Sequence, residues 1–171
     1  MINRLLTIIF SVFILIGAAM AEEVKNPAKV PKNNKIIPVD VIVGKIGDVN
    51  YRATIGEIQK SIGSKRIKKS IEYPEGHPTD VHIININGHA IYKHWNATSF
   101  TDPVFKMKNG LGVGAKIKDF RKQYGNGEIR GGEGTSLCFE SKSPEYYFCI
   151  PVLYENDLKL NDEKVNEIWV W

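Results

Sequence analysis

Little in this chain is chemically specialised. It has two cysteines, three tryptophans and three methionines in 171 residues. It also lacks the local patterns that announce a nucleophile or a metal-assisted hydrolase. There is no Gly-x-Ser-x-Gly and no His-Glu-x-x-His, and neither Cys138 nor Cys149 lies in a catalytic signature. The acids Asp102, Asp119, Glu133 and Glu140 show no spacing that couples them as a general acid and base. A non-enzymatic role is therefore expected, with no cofactor and no metal. Neither sign of charge dominates: 23 Lys+Arg stand against 19 Asp+Glu, far short of the basic footprint of a nucleic-acid binder. The long apolar run, Leu5 to Ile16, is too short for a spanning helix, which needs about 20 residues.

That run reads as part of a leader. Asn3-Arg4 supplies a positive start, and Ala19-Met20-Ala21 has the small-x-small form that signal peptidase cuts. Residues 1–21 are thus a signal peptide and the mature chain starts near Glu22, in the periplasm or secreted. No cysteine follows the cut to carry a lipid, so no stable membrane anchor is expected. Losing the leader removes one charge, Arg4, and takes the formal net charge from +4 to +3. That value is compatible with loose attraction to an anionic envelope surface. Residues 22–38, rich in Pro, Lys and Asn, read as a flexible linker. The rest, 39–171, has the composition of a folded globular domain, 43% hydrophobic and 25% charged over the whole chain.

That domain reads as α+β, mostly antiparallel sheet with two short helices. A strand is expected from Val39 to about Ile46, a helix over 56–62, and a strand over 66–73 ending in a Pro74–Pro78 turn cluster. Asn87-Gly88 between two β-rich runs is a hairpin signal, because both residues tolerate positive φ. Ile117, Phe120 and Tyr124 mark the apolar stripe of the second helix, which Gly125 closes. Residues 125–134 and 156–163 read as loops, and 165–171 as a terminal strand. Each half pairs a short helix with following strands, a degenerate tandem repeat over 39–98 and 99–171.

A turn at Lys142–Glu145 sets Cys138 opposite Cys149, and an even pair in an exported protein favours a disulfide. In the Asn87-Gly88 hairpin, His82 falls opposite Lys93 and His89 opposite Ile86, about 13 Å apart along the ladder. His94 takes the other face. The histidines do not converge on a metal. Gly110-Leu111-Gly112-Val113-Gly114 before a helix reads first as tight-turn glycines needed for packing; it also admits a bound anion near Gly112 and Gly114, although no nucleotide-loop pattern is present. Tyr146 and Tyr147 must point to opposite faces, and Trp169 and Trp171 share one. A face left open would offer an aromatic patch for a protein or a glycan. The candidate loop for inserting into a hydrolase such as a lysozyme is Gly131–Gly134, with Glu133 against a basic rim, or Lys142–Glu145.

Several of these segments together resemble a family of small exported bacterial proteins of unknown function, typified by an enterobacterial lipoprotein regulated by the envelope-stress (sigma-E) factor. They are Thr54–Gln59, Asp102-Pro103, the Gly-Val-Gly helix ending at Tyr124-Gly125, the cysteine segment with Ser143-Pro144, and Lys164–Trp169. The resemblance implies a periplasmic, stress-related role and carries no catalytic residue. The leader, the disulfide-ready hairpin and the absence of active-site motifs point to a protein that acts through contacts with an envelope protein or a cell-wall component. This chain departs from that lipoprotein in lacking a lipobox cysteine. Its tandem arrangement is also similar to secreted inhibitors of the β-lactamase-inhibitor type. N-terminal sequencing of the exported protein should read from Glu22; a mature chain that still begins at Met1 would remove the leader.

Overall fold

Alternation along the strands decides what this fold buries. The structure, a computed structural model, describes residues 35–72, 78–131, 135–153 and 157–171. The leader, most of the linker, the turn cluster up to His77, and Glu133 with its neighbours Gly132 and Gly134 lie outside the described residues. Strands β1 (Ile37–Asp40), β2 (Lys45–Ile46) and β3 (Val49–Asn50) come first, followed by helix α1 (Ile55–Ile62). Next are β4 (Ile67–Glu72), β5 (Thr79–Ile86), β6 (His89–Lys93), β7 (Thr98–Phe100) and β8 (Phe105–Met107). Helix α2 (Ile117–Tyr124) leads to β9 (Glu128–Arg130), β10 (Ser136–Lys142) and β11 (Glu145–Pro151). A single helical turn, α3 (Asp157–Leu160), precedes β12 (Ile168–Val170).

The architecture is α+β. A small sheet has the order β3-β2-β1-β8, and an eight-stranded sheet runs β4-β5-β6-β7-β12-β11-β10-β9. The large sheet is antiparallel throughout, whereas β1 pairs β8 in parallel. A helix followed by a run of strands occurs twice, and β7 of the first run meets β12 of the second at the middle of the large sheet.

One face of that sheet forms the core. Ile84, Ile91, Phe100, Phe139, Phe148, Ile168 and Val170 are fully buried there together with Phe120 and Ile117 of α2. Phe120 lies 6.2 Å from Phe148 and 6.3 Å from Phe139, centroid to centroid. Ile37, Val39 and Ile46 of the small sheet join the same cluster.

Local chemistry explains the element boundaries. Thr54 and Glu57 make a reciprocal capping box that starts α1: the Thr54 hydroxyl accepts from Glu57 N–H, and the Glu57 carboxylate accepts from Thr54 N–H at 2.8 Å. Asn87 (φ 53°) and Gly88 (φ 90°) form the expected hairpin turn, and the register puts His82 opposite Lys93 and His89 opposite Ile86. Ser141 pairs Tyr146 and Cys138 pairs Cys149, joined as a disulfide.

Other boundaries differ from the sequence reading. The strand expected from Val39 to Ile46 is broken, because the Asp40 carboxylate accepts from the backbone N–H groups of Ile42 and Val43 and turns the chain. The linker expected to reach Pro38 ends sooner. Ile37 and Pro38 belong to β1, and Ile37 is buried opposite Phe105. Strand β9 lies inside residues read as a glycine loop, and α3 inside residues read as a polar one.

Replacing Cys138 and Cys149 together by alanine should lower the melting temperature by about 5–10 °C, from a loss of about 2–3 kcal/mol of loop-closure entropy. An unchanged melting temperature would leave the bridge without a stabilising role.

Candidate functional site

The face of the large sheet opposite the core is open, and aromatic rings occupy its centre. Register alone places them there. Trp169 pairs both Ser99 and Cys149, Tyr92 pairs Ser99, and Tyr147 pairs Glu140. All these side chains project away from Ile168, Val170 and Phe148. Together they line a groove of ≈ 1060 Å³ that runs across the strands from Glu72 and Thr79 to Arg130 and Ser136.

The rings form a continuous row of tilted neighbours. His94 lies 4.6 Å from Trp169 at an interplanar angle of 32°, Trp169 lies 6.3 Å from Trp171 at 30°, and Trp171 lies 4.9 Å from Tyr147. Arg130 ends the row, its guanidinium 5.3 Å from the Tyr147 ring centroid and donating from Nη1 to the Tyr147 hydroxyl at 3.0 Å. Its charge is already matched, because Glu128 and Glu140 accept from Arg130 at 2.7 and 2.9 Å. Those two carboxylates, Glu128 first, raise the guanidinium's already high pKa. The disulfide lies beneath, with the Tyr147 hydroxyl 3.6 Å from the Cys138 sulfur. Thr101, Ser136, Asn96 and Glu167 supply hydroxyl, amide and carboxylate groups around the aromatic row. An apolar row with a few placed polar groups is the usual make-up of a ligand site.

The residues singled out from the sequence divide among three places. Trp169, Trp171, Tyr147, Cys138 and Cys149 all line the groove. Tyr146 points to the other face and packs at 5.7 Å against Tyr124. Gly112 and Gly114 belong to a different region. A Cβ on Gly112 would collide with the Phe105 carbonyl oxygen, so glycine there is a packing requirement. Gly114 N–H donates to Val165 C=O at 2.7 Å, Ile117 N–H to Glu163 C=O at 3.0 Å and Lys118 N–H to Asn161 C=O at 3.1 Å. The N–H groups an anion would need at the start of α2 are thus held by the backbone of residues 161–165.

Groove members that escaped the sequence reading include Tyr92, His94, Arg130 and the strand β7 that carries Ser99. Tyr92 and His94 could have been found by extending the hairpin register, which puts them on one face. Arg130 could not, because its strand is only three residues long. In a smaller cleft between β2–β3 and α1 both carboxylates are engaged: Asp48 pairs Arg66, and Glu57 caps α1.

His89 is a separate case. It is 1% exposed, and its Nδ1–H donates to the Asp102 carboxylate at 2.7 Å while that carboxylate also accepts from Val104 N–H. The pair ties β6 to the connector before β8. Among the described residues no group of three or more His, Cys, Asp or Glu side chains is placed to hold a metal.

No family model and no curated protein matches this chain. The fold has a solved counterpart. It is similar to the crystal structure of the uncharacterized protein yfeY from Escherichia coli, with a TM-score of 0.52 over 80% of this chain and 99% of that chain. Identity is 10%, so the likeness speaks for the fold and leaves the groove to be argued from its own chemistry.

Burial holds the His94 imidazole below its ordinary value of 6.5; Glu72 and Glu167 oppose the shift and Lys93 adds to it. The folded protein therefore takes up this proton less readily than the unfolded chain. As pH falls below about 6.5 the unfolded chain carries more protons, and stability falls until the lowered pKa is passed. His94→Phe, which keeps a ring on Trp169, should flatten the fall in melting temperature over that range. An unaltered slope would assign the titration to another group.

Proposed function

We propose that this chain is a non-catalytic protein of the bacterial cell envelope that works by binding, and that the aromatic groove is its contact surface. The observation that carries this reading is the unbroken row of His94, Trp169, Trp171, Tyr147 and Arg130 on a sheet face that no other part of the described chain covers. Half-exposed tryptophans in a concave surface mark a contact site more than a packing one.

The periplasmic location is supported by the leader pattern and by a disulfide, which persists in oxidising compartments. Among the described residues no helix is long and apolar enough to cross a membrane. Kinship with the envelope-stress lipoprotein family belongs to the same reading. It is supported by the short sequence segments named above and by a fold similar to an enterobacterial protein.

A second reading, inhibition of a secreted hydrolase, is favoured by one observation. Gly131, the first residue of the candidate inserting loop, lines the groove.

The test uses the full chain in cells with a photoreactive side chain at Tyr92, in the groove, or at Lys122, exposed on α2. Adducts with envelope material should form from position 92 and disappear when Trp169→Ala is added. Adducts from position 122 with none from 92 would overturn the reading. A captured lysozyme-like hydrolase, slowed by excess of this protein, would decide for the inhibitor.

A further inference from the structure

We propose that the groove binds an uncharged saccharide chain, laid across the strands on the rings of Trp169, Trp171 and Tyr147. The inference rests on the groove being the contact surface and narrows what that surface takes.

Three features of the groove select this class. The first is that it offers side chains only. The strands beneath the rings, β7, β12 and β11, are each paired on both sides, so their ladder N–H and C=O groups are engaged. An added peptide strand would find no main-chain partner here, which removes the main source of affinity in strand addition.

The second is charge. Arg130 is matched by Glu128 and Glu140, and the remaining ionisable lining groups include the carboxylates of Glu72 and Glu167. Burial disfavours the charged form of the His94 ring. Single-stranded nucleic acid also stacks on aromatic rows, but those rows lie in cationic channels that track the phosphates. This one does not.

The third is the pairing of flat apolar surface with hydroxyl-scale polar groups. A pyranose ring carries C–H bonds on a face and hydroxyls around its rim. The faces of Trp and Tyr accept the first, and Thr101, Ser136, Asn96 and Glu167 supply donors and acceptors for the second. Successive ring centroids spaced 4.6–6.3 Å apart extend this surface across several strands, which suits a chain of sugars better than a single one.

The chain's three tryptophans make the test direct, because Trp95 is 95% exposed outside the groove. With Trp95→Phe in the full chain purified after export, emission comes from Trp169 and Trp171 alone. Titration with the neutral tetrasaccharides of N-acetylglucosamine, β-1,4-glucose and α-1,4-glucose should give a saturable emission change with at least one. Binding should be tighter than for the matching disaccharide and unchanged within about twofold between about 0.05 and 0.5 M NaCl. Trp169→Ala should weaken it roughly tenfold or more, a loss of about 1.4 kcal/mol. Shifts of the Trp169 and Trp171 indole N–H signals in the otherwise unaltered protein give a readout that needs no groove substitution.

No saturable response to any of the three sugars would overturn the inference, as would binding that survives both Trp169→Ala and Tyr147→Ala. A response to a proline decamer or a thymidine decamer without one to the sugars would also overturn it, while leaving the groove as the contact surface. The photocrosslinking experiment tests that surface independently of the ligand.

Discussion

The pairing of β7 with β12 is the constraint on which both faces of the large sheet depend. Phe100 pairs Ile168, Ser99 pairs Trp169, and Thr98 pairs Val170. Side chains alternate with a period of two, so this register sends Phe100, Ile168 and Val170 into the core and Trp169 into the groove. A slip of one residue would bury the tryptophans against Phe120 and expose the isoleucine and valine. The same strands join the two helix-plus-strands halves. The seam therefore fixes the topology, the core and the groove face at once, through three residue pairs.

Buried polar groups on the core side reinforce that arrangement. Lys93 is 6% exposed and donates to the Tyr51 carbonyl at 2.7 Å, and burial lowers its pKa. The Tyr51 hydroxyl donates to Val41 C=O at 3.3 Å, and burial pushes its pKa up to about 12. Arg52 donates to the carbonyls of Val41, Ile42 and Trp171. These contacts link the turn after β1 to β6 and to Trp171. The Trp171 ring thus sits on a backbone held from behind as well as by β12, and a ring so held loses less freedom when a ligand stacks on it.

What could be read from the sequence was whatever local rules decide. The Asn87-Gly88 turn, the cysteine register and the apolar stripe of α2 all follow from a few neighbouring residues, and the structure has them as read. Trp169 and Trp171 were correctly set on one face and Tyr146 and Tyr147 on opposite ones, because alternation is local. Which face was open was not legible. That depends on β12 pairing β7, a contact between residues about seventy positions apart, and no local pattern encodes it. Strands of three residues, such as β7 and β9, are equally invisible, since they hold together through neighbours in the sheet and not through their own propensity. The Asp40 turn was legible in principle: an aspartate accepting from N–H groups two and three residues on is a local motif, and the run of valines around it masked it.

The groove also explains why the disulfide sits where it does. Cys138 and Cys149 occupy the groove face of β10 and β11, and both are nearly buried beneath Tyr147. A larger pair of side chains at those positions would lift the Tyr147 ring away from Trp171, and a polar pair would need partners that the stacked rings do not provide. The bridge meets both demands, being short, apolar and covalent. It fixes the spacing of β10 and β11 under the end of the aromatic row, so that Arg130, Tyr147 and Trp171 keep one mutual geometry. An open sheet face ordinarily tolerates side-chain motion. Here a covalent floor, a charge-matched arginine at one end and the tilted His94 ring at the other hold Trp169, Trp171 and Tyr147 in register, the order that the proposed stacking of a ligand would require.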